Sequence, residues 1–348
     1  MKIKTALISV SNKDKLSDIL KELKKYKIKI ISSGGTYKKI KSLGYKCVEI
    51  SDYTRFAEIL DGRVKTLHPK IYSGILYKRN KLSHKKIIKK LNFGSIDLVI
   101  ANFYPFEKVV SKSKNHKNII ENIDIGGPTL VRAAAKNYKD VTVITKIDDY
   151  QKLILELKLF KGGTSLQFRE KMSQIAFGET GSYDSIIFNY FNNFSKEEVP
   201  EKIFIKTNLI KKLRYGENPH QLGAIYGNKE NFNLIKLQGK ELSYNNYNDI
   251  FACLILTKTL PKNRGTVIVK HSNPSGVSIE TNHLRSYLSA MNCDPISAFG
   301  GVVACNYKIN LKIAKEIIKN YYEVIIANGF DKKAIKLLKS KKNLRLID

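Results

Sequence analysis

The run Ile123-Asp-Ile-Gly-Gly-Pro-Thr-Leu-Val-Arg-Ala-Ala-Ala-Lys-Asn137 joins a carboxylate, a Gly-Gly turn and a helix bearing two cations. Pro128 suits the first turn of a helix, where its missing N–H costs nothing, and the alanines propagate that helix. Gly126 and Gly127 let a ligand approach bare backbone at the positive end of the helix dipole. Arg132 and Lys136, four residues apart, project from one side of it. On pattern alone two readings stay open: the wall of an active site, or a well-packed helix whose basic residues are solvated.

Other segments carry the same duality. Ser33-Gly34-Gly35-Thr36 offers free N–H groups and a hydroxyl to a phosphate, or is a glycine turn with Thr36 as its N-cap. Arg63 and Lys65 would point to one face of an extended segment, a pair suited to a phosphate or a developing oxyanion. The competing account is a solvated basic loop. Tyr104 follows an apolar run and either donates a hydrogen bond to a ring or fills the core. Further on, Lys270 and His271 lead into an Asn273-Pro-Ser-Gly276 turn, which sets a potential base beside a cation. Cys293 and Cys305 form no C-x-x-C pair, so a metal site is not expected.

The elements that must position these residues alternate. Lys4 to Val10 reads as a strand, and Ser11-x-x-Asp14 as a capping box that opens a helix to about Tyr26. Strands follow at Lys27 to Ser32, Lys46 to Ile50, Ile96 to Ala101 and Val141 to Thr145, with a helix from the Gly34-Gly35 turn to Gly44. Residues 165 to 194 read as a closing helix. This order predicts an α/β domain, a parallel sheet with helices on both faces. In such sheets ligands bind beyond the carboxyl ends of the strands, where Ser11, Ser33 to Thr36, Asn102 and Tyr104 fall. The polar stretch Ser195 to Lys202 reads as a linker, giving domains at 1–196 and 203–348. The second shows three apparent strands, Thr266 to Lys270, Gly301 to Cys305 and Glu323 to Ala327, a helix over Leu311 to Tyr321, and a β run opening at Leu344.

The chain has 348 residues, and its 62 basic against 31 acidic side chains give a net charge of +31. The excess is mostly Lys spread evenly among abundant Asn and Ile, as an AT-rich coding sequence produces, with no Arg-rich tail or RNP-like aromatic motif. Specific nucleic-acid binding is therefore not expected, although the field favours anionic substrates. Four cysteines with no C-x-x-C pair, in a chain long enough to need no disulfide framework, fit a reducing cytoplasm. Neither a signal peptide nor a membrane span is evident.

Taken together, the segments Ser9 to Lys13, Ser33 to Thr36, Gly62 to Pro69, Asn102 to Phe106, Ile123 to Asn137, Leu213 to Gln221, Lys270 to Gly276 and Asp294 to Gly301 resemble one family. It is the bifunctional purine biosynthesis enzymes that join AICAR formyltransferase to IMP cyclohydrolase. The resemblance runs through essentially the whole chain. It implies an N-terminal methylglyoxal-synthase-like domain that closes formyl-AICAR to IMP with loss of water and needs no metal. Lys65, Tyr104, Asp124 and Lys136 would be the catalytic set, with Lys136 and Asp124 moving protons at the attacking carboxamide nitrogen. Ser11, Asn12, Lys13, Ser33, Gly34, Gly35, Thr36, Arg63, Val64, Thr66, Asn102, Ile125, Gly126 and Gly127 would bind the nucleotide.

By the same resemblance the second domain is cytidine-deaminase-like without its zinc. His271, assisted by Lys270, would take the proton of the AICAR amine as it attacks the formyl group of 10-formyltetrahydrofolate, while Arg214, Tyr215 and Gly300 bind AICAR. Family members continue with a Lys-x-x-x-Ser-Asn-Ala and a Phe-Phe-Pro-Phe segment, so the chain reads as C-terminally truncated, with ring closure intact and formyl transfer in doubt. A homodimer is implied if the second domain is complete. The alternative from another class is a non-catalytic sensor of phosphoribosyl ligands on the same N-terminal fold, which would need the phosphate loop but not the proton-handling set.

Overall fold

Uninterrupted apolar runs form the first sheet. The computed structural model describes residues 1–195, 198–228 and 234–348, and it divides into two compact units, Met1–Lys206 and Thr207–Asp348. Two residues of the expected linker, 196 and 197, lie outside the described residues. The first unit takes in the segment beyond them because Phe204 packs edge-on against Phe188 at 4.9 Å and its carbonyl accepts the Asn189 side chain.

Strands β1 (Thr5–Val10), β2 (Lys29–Ser32), β3 (Val48–Glu49), β4 (Leu98–Asn102) and β5 (Thr142–Ile144) form a parallel sheet in the order β3-β2-β1-β4-β5. Four successive residues of β4, Leu98 to Ala101, are buried, which requires cover on both faces of the sheet. The Leu16–Lys25, Gly126–Lys136, Tyr150–Leu159 and Leu166–Ser195 helices supply much of it through Leu20, Leu23, Leu130, Ala134, Leu153 and Ala176. The strand order reverses direction between β1 and β4, so the crevice for a ligand lies beyond Val10 and Asn102.

Two local expectations fail here. No capping box opens the first helix: it starts at Leu16 behind Lys15 at φ 56°, and the Ser11 N–H is spent on the Asn102 side chain. The Lys46 to Ile50 strand shrinks to two residues because Ile50 already begins a short helix.

The second unit holds β6 (Asn208–Lys212) and β7 (Ala224–Gly227), paired antiparallel, and a six-stranded mixed sheet. The six strands are β8 (Lys236–Gln238), β9 (Gly265–Lys270), β10 (Asn273–Ile279), β11 (Val302–Cys305), β12 (Val324–Ala327) and β13 (Arg345–Ile347), in the order β10-β9-β11-β12-β13-β8. Alternate residues face opposite cores. Val267, Val269, Val302 and Ala304 pack with Tyr247, Ile250 and Cys253 of the Tyr244–Thr259 helix, while Ile268, Val303 and Cys305 pack with Tyr287 and Ala290 of the His283–Cys293 helix.

The six-stranded sheet holds the three expected strands and, as β13, the β run expected at Leu344, and it adds β8 and β10. The Asn273 to Gly276 stretch is not a turn but the start of edge strand β10, where Pro274 is tolerated beside a register shift. The reversal is carried instead by His271 and Ser272, both at positive φ, 52° and 61°. The helix expected over Leu311 to Tyr321 ends at Ile317. Among the described residues no helix is long and apolar enough to cross a membrane.

Candidate active site

The crevice beyond β1 and β4 is built by a side chain that carries no charge. Asn102, the last residue of β4, accepts the N–H groups of Ser11 (2.7 Å) and Asn12 (3.0 Å) through Oδ1 and donates Nδ2 to the Asn12 carbonyl (3.0 Å). Its amide is thus occupied in shaping the loop after β1 rather than left free for a nucleotide. Lys13 Nζ donates to the Ser11 carbonyl within that loop at 3.1 Å. The Asn12 side chain accepts the Asp14 N–H.

Thr36 is engaged in the same way. Its hydroxyl accepts from Val10 N–H at 3.1 Å and donates to the Val10 carbonyl at 3.0 Å, pinning the Gly34–Ser42 helix to the end of β1. Ser33, not Thr36, occupies the N-cap position, and its side chain makes no cap hydrogen bond. What remains for an anion is the helix N-terminus itself, opened by Gly34 at φ +51°. Two cations converge on it. A Cβ at Gly34 would lie 3.7 Å from Lys65 Nζ, and one at Gly35 would lie 3.8 Å from Lys13 Nζ.

The Arg63 and Lys65 pair does not share a face. Leu60 and Asp61 both take positive φ in a turn that runs into Arg63, while Val64 bridges back to Ile59, so the backbone is not a simple extended strand. Arg63 turns to Glu121 and Lys65 to Glu58, the latter at 3.3 Å. Lys65 is therefore the cation that enters the site. Thr66 is buried, with Oγ1 2.9 Å from where a Gly126 Cβ would stand.

Asp124 closes the other wall. Its Oδ1 accepts the Gly127 N–H at 2.8 Å, and the Tyr104 backbone N–H lies close to the carboxylate. Burial raises the pKa of the carboxyl above its ordinary value; those two amides and the nearby Lys65 charge pull the other way without cancelling it. Tyr104 is 45% exposed, which removes the core-filling reading, and Phe106 fills the core instead. Ile125 is also exposed, at the N-cap of the Gly126–Lys136 helix.

Lys136 is not brought to Asp124. It lies in the last turn of that helix, about 15 Å along the axis from Gly126 at ~1.5 Å per residue, and its side chain is exposed. The spacing of four from Arg132 fixed a shared side, not a position along the axis. Arg132 itself lies over the Phe177 ring at 5.7 Å. A residue absent from the sequence reading does reach the site: Tyr183, whose hydroxyl accepts the Asp124 N–H at 2.8 Å. An aromatic in a long helix reads as packing, and no sequence signal separates the two roles.

Gly127 has a specific steric duty, because a Cβ there would stand 2.6 Å from Asp124 Oδ2. Gly127→Ala is expected to displace the carboxylate and slow any reaction that uses it by about tenfold to a hundredfold, read as kcat with the melting temperature as control. Unchanged kcat would remove the steric argument.

In the second unit, Lys270 Nζ donates to the Phe299 carbonyl at 2.8 Å, which brings the side chain before His271 to the backbone before Gly300. The strained His271-Ser272 reversal is held by Asp249, whose Oδ1 accepts the Ser272 N–H at 2.7 Å, and by Asn273, whose side chain donates to the His271 carbonyl. Gly300 takes φ +77°, and its N–H donates to the Tyr321 carbonyl. Arg214 and Tyr215 lie apart in sequence, just after β6, with the guanidinium over the Tyr215 ring. Among the described residues no group of three or more His, Cys, Asp or Glu is placed to hold a metal. A cavity of about 490 Å³ lies elsewhere, at the start of β2, lined by Lys24, Lys27, Lys29, Tyr45 and Lys46, and contains none of these site residues.

Residues 15–129 match the model of the MGS-like domain, and residues 134–348, more than half of the chain, match that of the AICARFT/IMPCHase bienzyme. The bifunctional purine biosynthesis protein PurH of Thermoanaerobacter sp. (strain X514) is 44% identical over 99% of this chain and 68% of its own length. That of Bradyrhizobium diazoefficiens is 41% identical over 99% of this chain and 66% of its own length. A solved structure, "Crystal structure of ForH", aligns at 27% identity with a TM-score of 0.49 over 54% of this chain and 99% of that one. The chain belongs to the AICARFT/IMPCHase bienzyme family, the bifunctional enzymes of de novo purine biosynthesis that formylate AICAR and cyclise the product to IMP.

Proposed function

We propose that the first unit of this chain closes formyl-AICAR to IMP, with Asp124 as proton acceptor, Lys65 as the charge that steadies the formyl oxygen, and Tyr104 at the mouth of the site. The carboxamide nitrogen attacks the formyl carbon and gives one proton to Asp124 while negative charge grows on the formyl oxygen. That proton passes on to the oxygen, which leaves as water with the proton of the formamido nitrogen as the new ring double bond forms, and Asp124 is a carboxylate again. Lys13 and the N-terminal amides of the Gly34–Ser42 helix hold the phosphate, and Ser11, Asn12, Ser33, Val64, Thr66 and Ile125 to Gly127 line the nucleotide. Asn102 and Thr36 act behind them by shaping the loop and seating the helix. The observation that carries this reading is the half-buried Asp124 carboxylate, held by the Gly127 amide and facing Lys65.

The pH profile of ring closure tests it. Asp124 works as the carboxylate, and burial raises its pKa above 3.8, so a protonated, inactive form persists to higher pH than in a free aspartate. The rate is expected to fall as pH drops through that raised value, with the midpoint of the acid limb above 3.8. A limb at or below it, or none, would contradict Asp124 as base.

In the second unit we assign proton removal from the AICAR amine to His271, with Lys270 beside it, 10-formyltetrahydrofolate as formyl donor, and Arg214, Tyr215 and Gly300 as AICAR contacts. The Lys270 bond to Phe299, which adjoins Gly300, supports that grouping. A cytoplasmic homodimer is part of the same reading.

A further inference from the structure

We propose that Tyr183, in the Leu166–Ser195 helix, is a positioning residue for ring closure: its hydroxyl holds the Asp124 backbone N–H and so fixes the direction of the Asp124 carboxylate. The inference rests on the reading of Asp124 as proton acceptor and deepens it. Asp124 stands outside any helix, between the His116–Glu121 and Gly126–Lys136 helices, so its N–H has no partner from regular structure. Tyr183 supplies one at 2.8 Å. With the Gly127 amide on the carboxylate, the residue is held at both ends.

The phenol is itself fixed. Tyr183 is only 6% exposed, and its ring packs against Phe103 at 5.1 Å and Phe106 at 6.2 Å. Those two rings flank the loop that carries Tyr104. One side chain thus ties together the two loops from which Asp124 and Tyr104 project. Burial pushes the Tyr183 hydroxyl up to about 12, so it remains a neutral acceptor across the working range. The groups facing Asp124 are Lys65 from the turn after Arg63, Tyr104 from the loop after β4, Tyr72 from the Pro69–Leu76 helix and Tyr183 from the long helix. Lys65 is the one cation among these four.

Tyr183→Phe keeps the ring and removes the acceptor, leaving a partly buried N–H unpaired. The expected result is a fall in kcat for IMP formation of about tenfold or more with KM changed less than about twofold. Water admitted by the loosened loop should move the acid limb of the rate toward the ordinary aspartate range. Hydrogen exchange at the Asp124 amide, measured in the same folded variant, should quicken by at least about tenfold. A wild-type chain that forms IMP, beside a variant with unchanged kcat, acid limb and Asp124 exchange, overturns the Tyr183 proposal alone. A variant that loses rate with limb and exchange unmoved also overturns it, since general loosening of the fold then accounts for the loss. A folded wild-type chain that forms no IMP overturns the parent reading and the catalytic role with it; unchanged Asp124 exchange in the variant would then exclude the clamp as well.

Discussion

Asp124→Asn is expected to slow conversion of formyl-AICAR to IMP by about a hundredfold or more, the range that general-base groups contribute. The substitution is nearly isosteric, and its amide oxygen can still accept the Gly127 N–H that Asp124 Oδ1 accepts at 2.8 Å. The Tyr183 hydroxyl holds the backbone N–H, which is unaltered. What disappears is the capacity to take a proton and the negative charge facing Lys65. Initial rates at saturating substrate measure the effect, and the melting temperature checks the fold. Activity within about tenfold of wild type would remove Asp124 from the proton path.

Gly276→Ala is expected to destabilise the second unit by about 3 kcal/mol, at the upper end of ordinary overpacking. A Cβ at Gly276 would stand 1.9 Å from the Ala290 carbonyl oxygen and 2.8 Å from its carbon. Both are backbone atoms of the His283–Cys293 helix, so no flexible side-chain end can swing aside. Strand β10 would have to move from that helix. Gly178→Ala is the control: beyond its chain neighbours and its own helix backbone nothing lies within 4 Å of its Cβ position, it sits inside a helix, and alanine there should be neutral or stabilising. Denaturant unfolding compares the two. Equal stability would mean that the strand and helix separate at little cost.

The central strands were legible because their apolar runs are continuous, as Leu98 to Ala101 and Val267 to Val269 illustrate. Strand β10 was hidden by Pro274, Ser275 and Gly276, which carry turn chemistry wherever they occur; here the edge position tolerates the proline and the close helix requires the glycine. In the site, sequence located the loops but not the partners of their side chains. Asn102 and Thr36 have the same composition whether they bind a ligand or a neighbouring backbone, and only the fold shows them on the Ser11, Asn12 and Val10 backbone. Arg63 and Lys65 diverge because Arg63 itself is helical, at φ −65° and ψ −28°, which breaks the extended geometry that residues two apart need to share a face. Tyr183 escaped for the converse reason: a polar atom at the tip of a packing residue leaves no mark on periodicity.

The most direct measurement supplies the purified chain with formyl-AICAR, without folate, and follows IMP by chromatography for the wild type and Asp124→Asn. Ring closure at the first unit predicts steady IMP formation by the wild type and a rate lower by about a hundredfold or more in the variant. A folded wild-type chain that forms no IMP above the uncatalysed rate, or a variant as fast as the wild type, would contradict it.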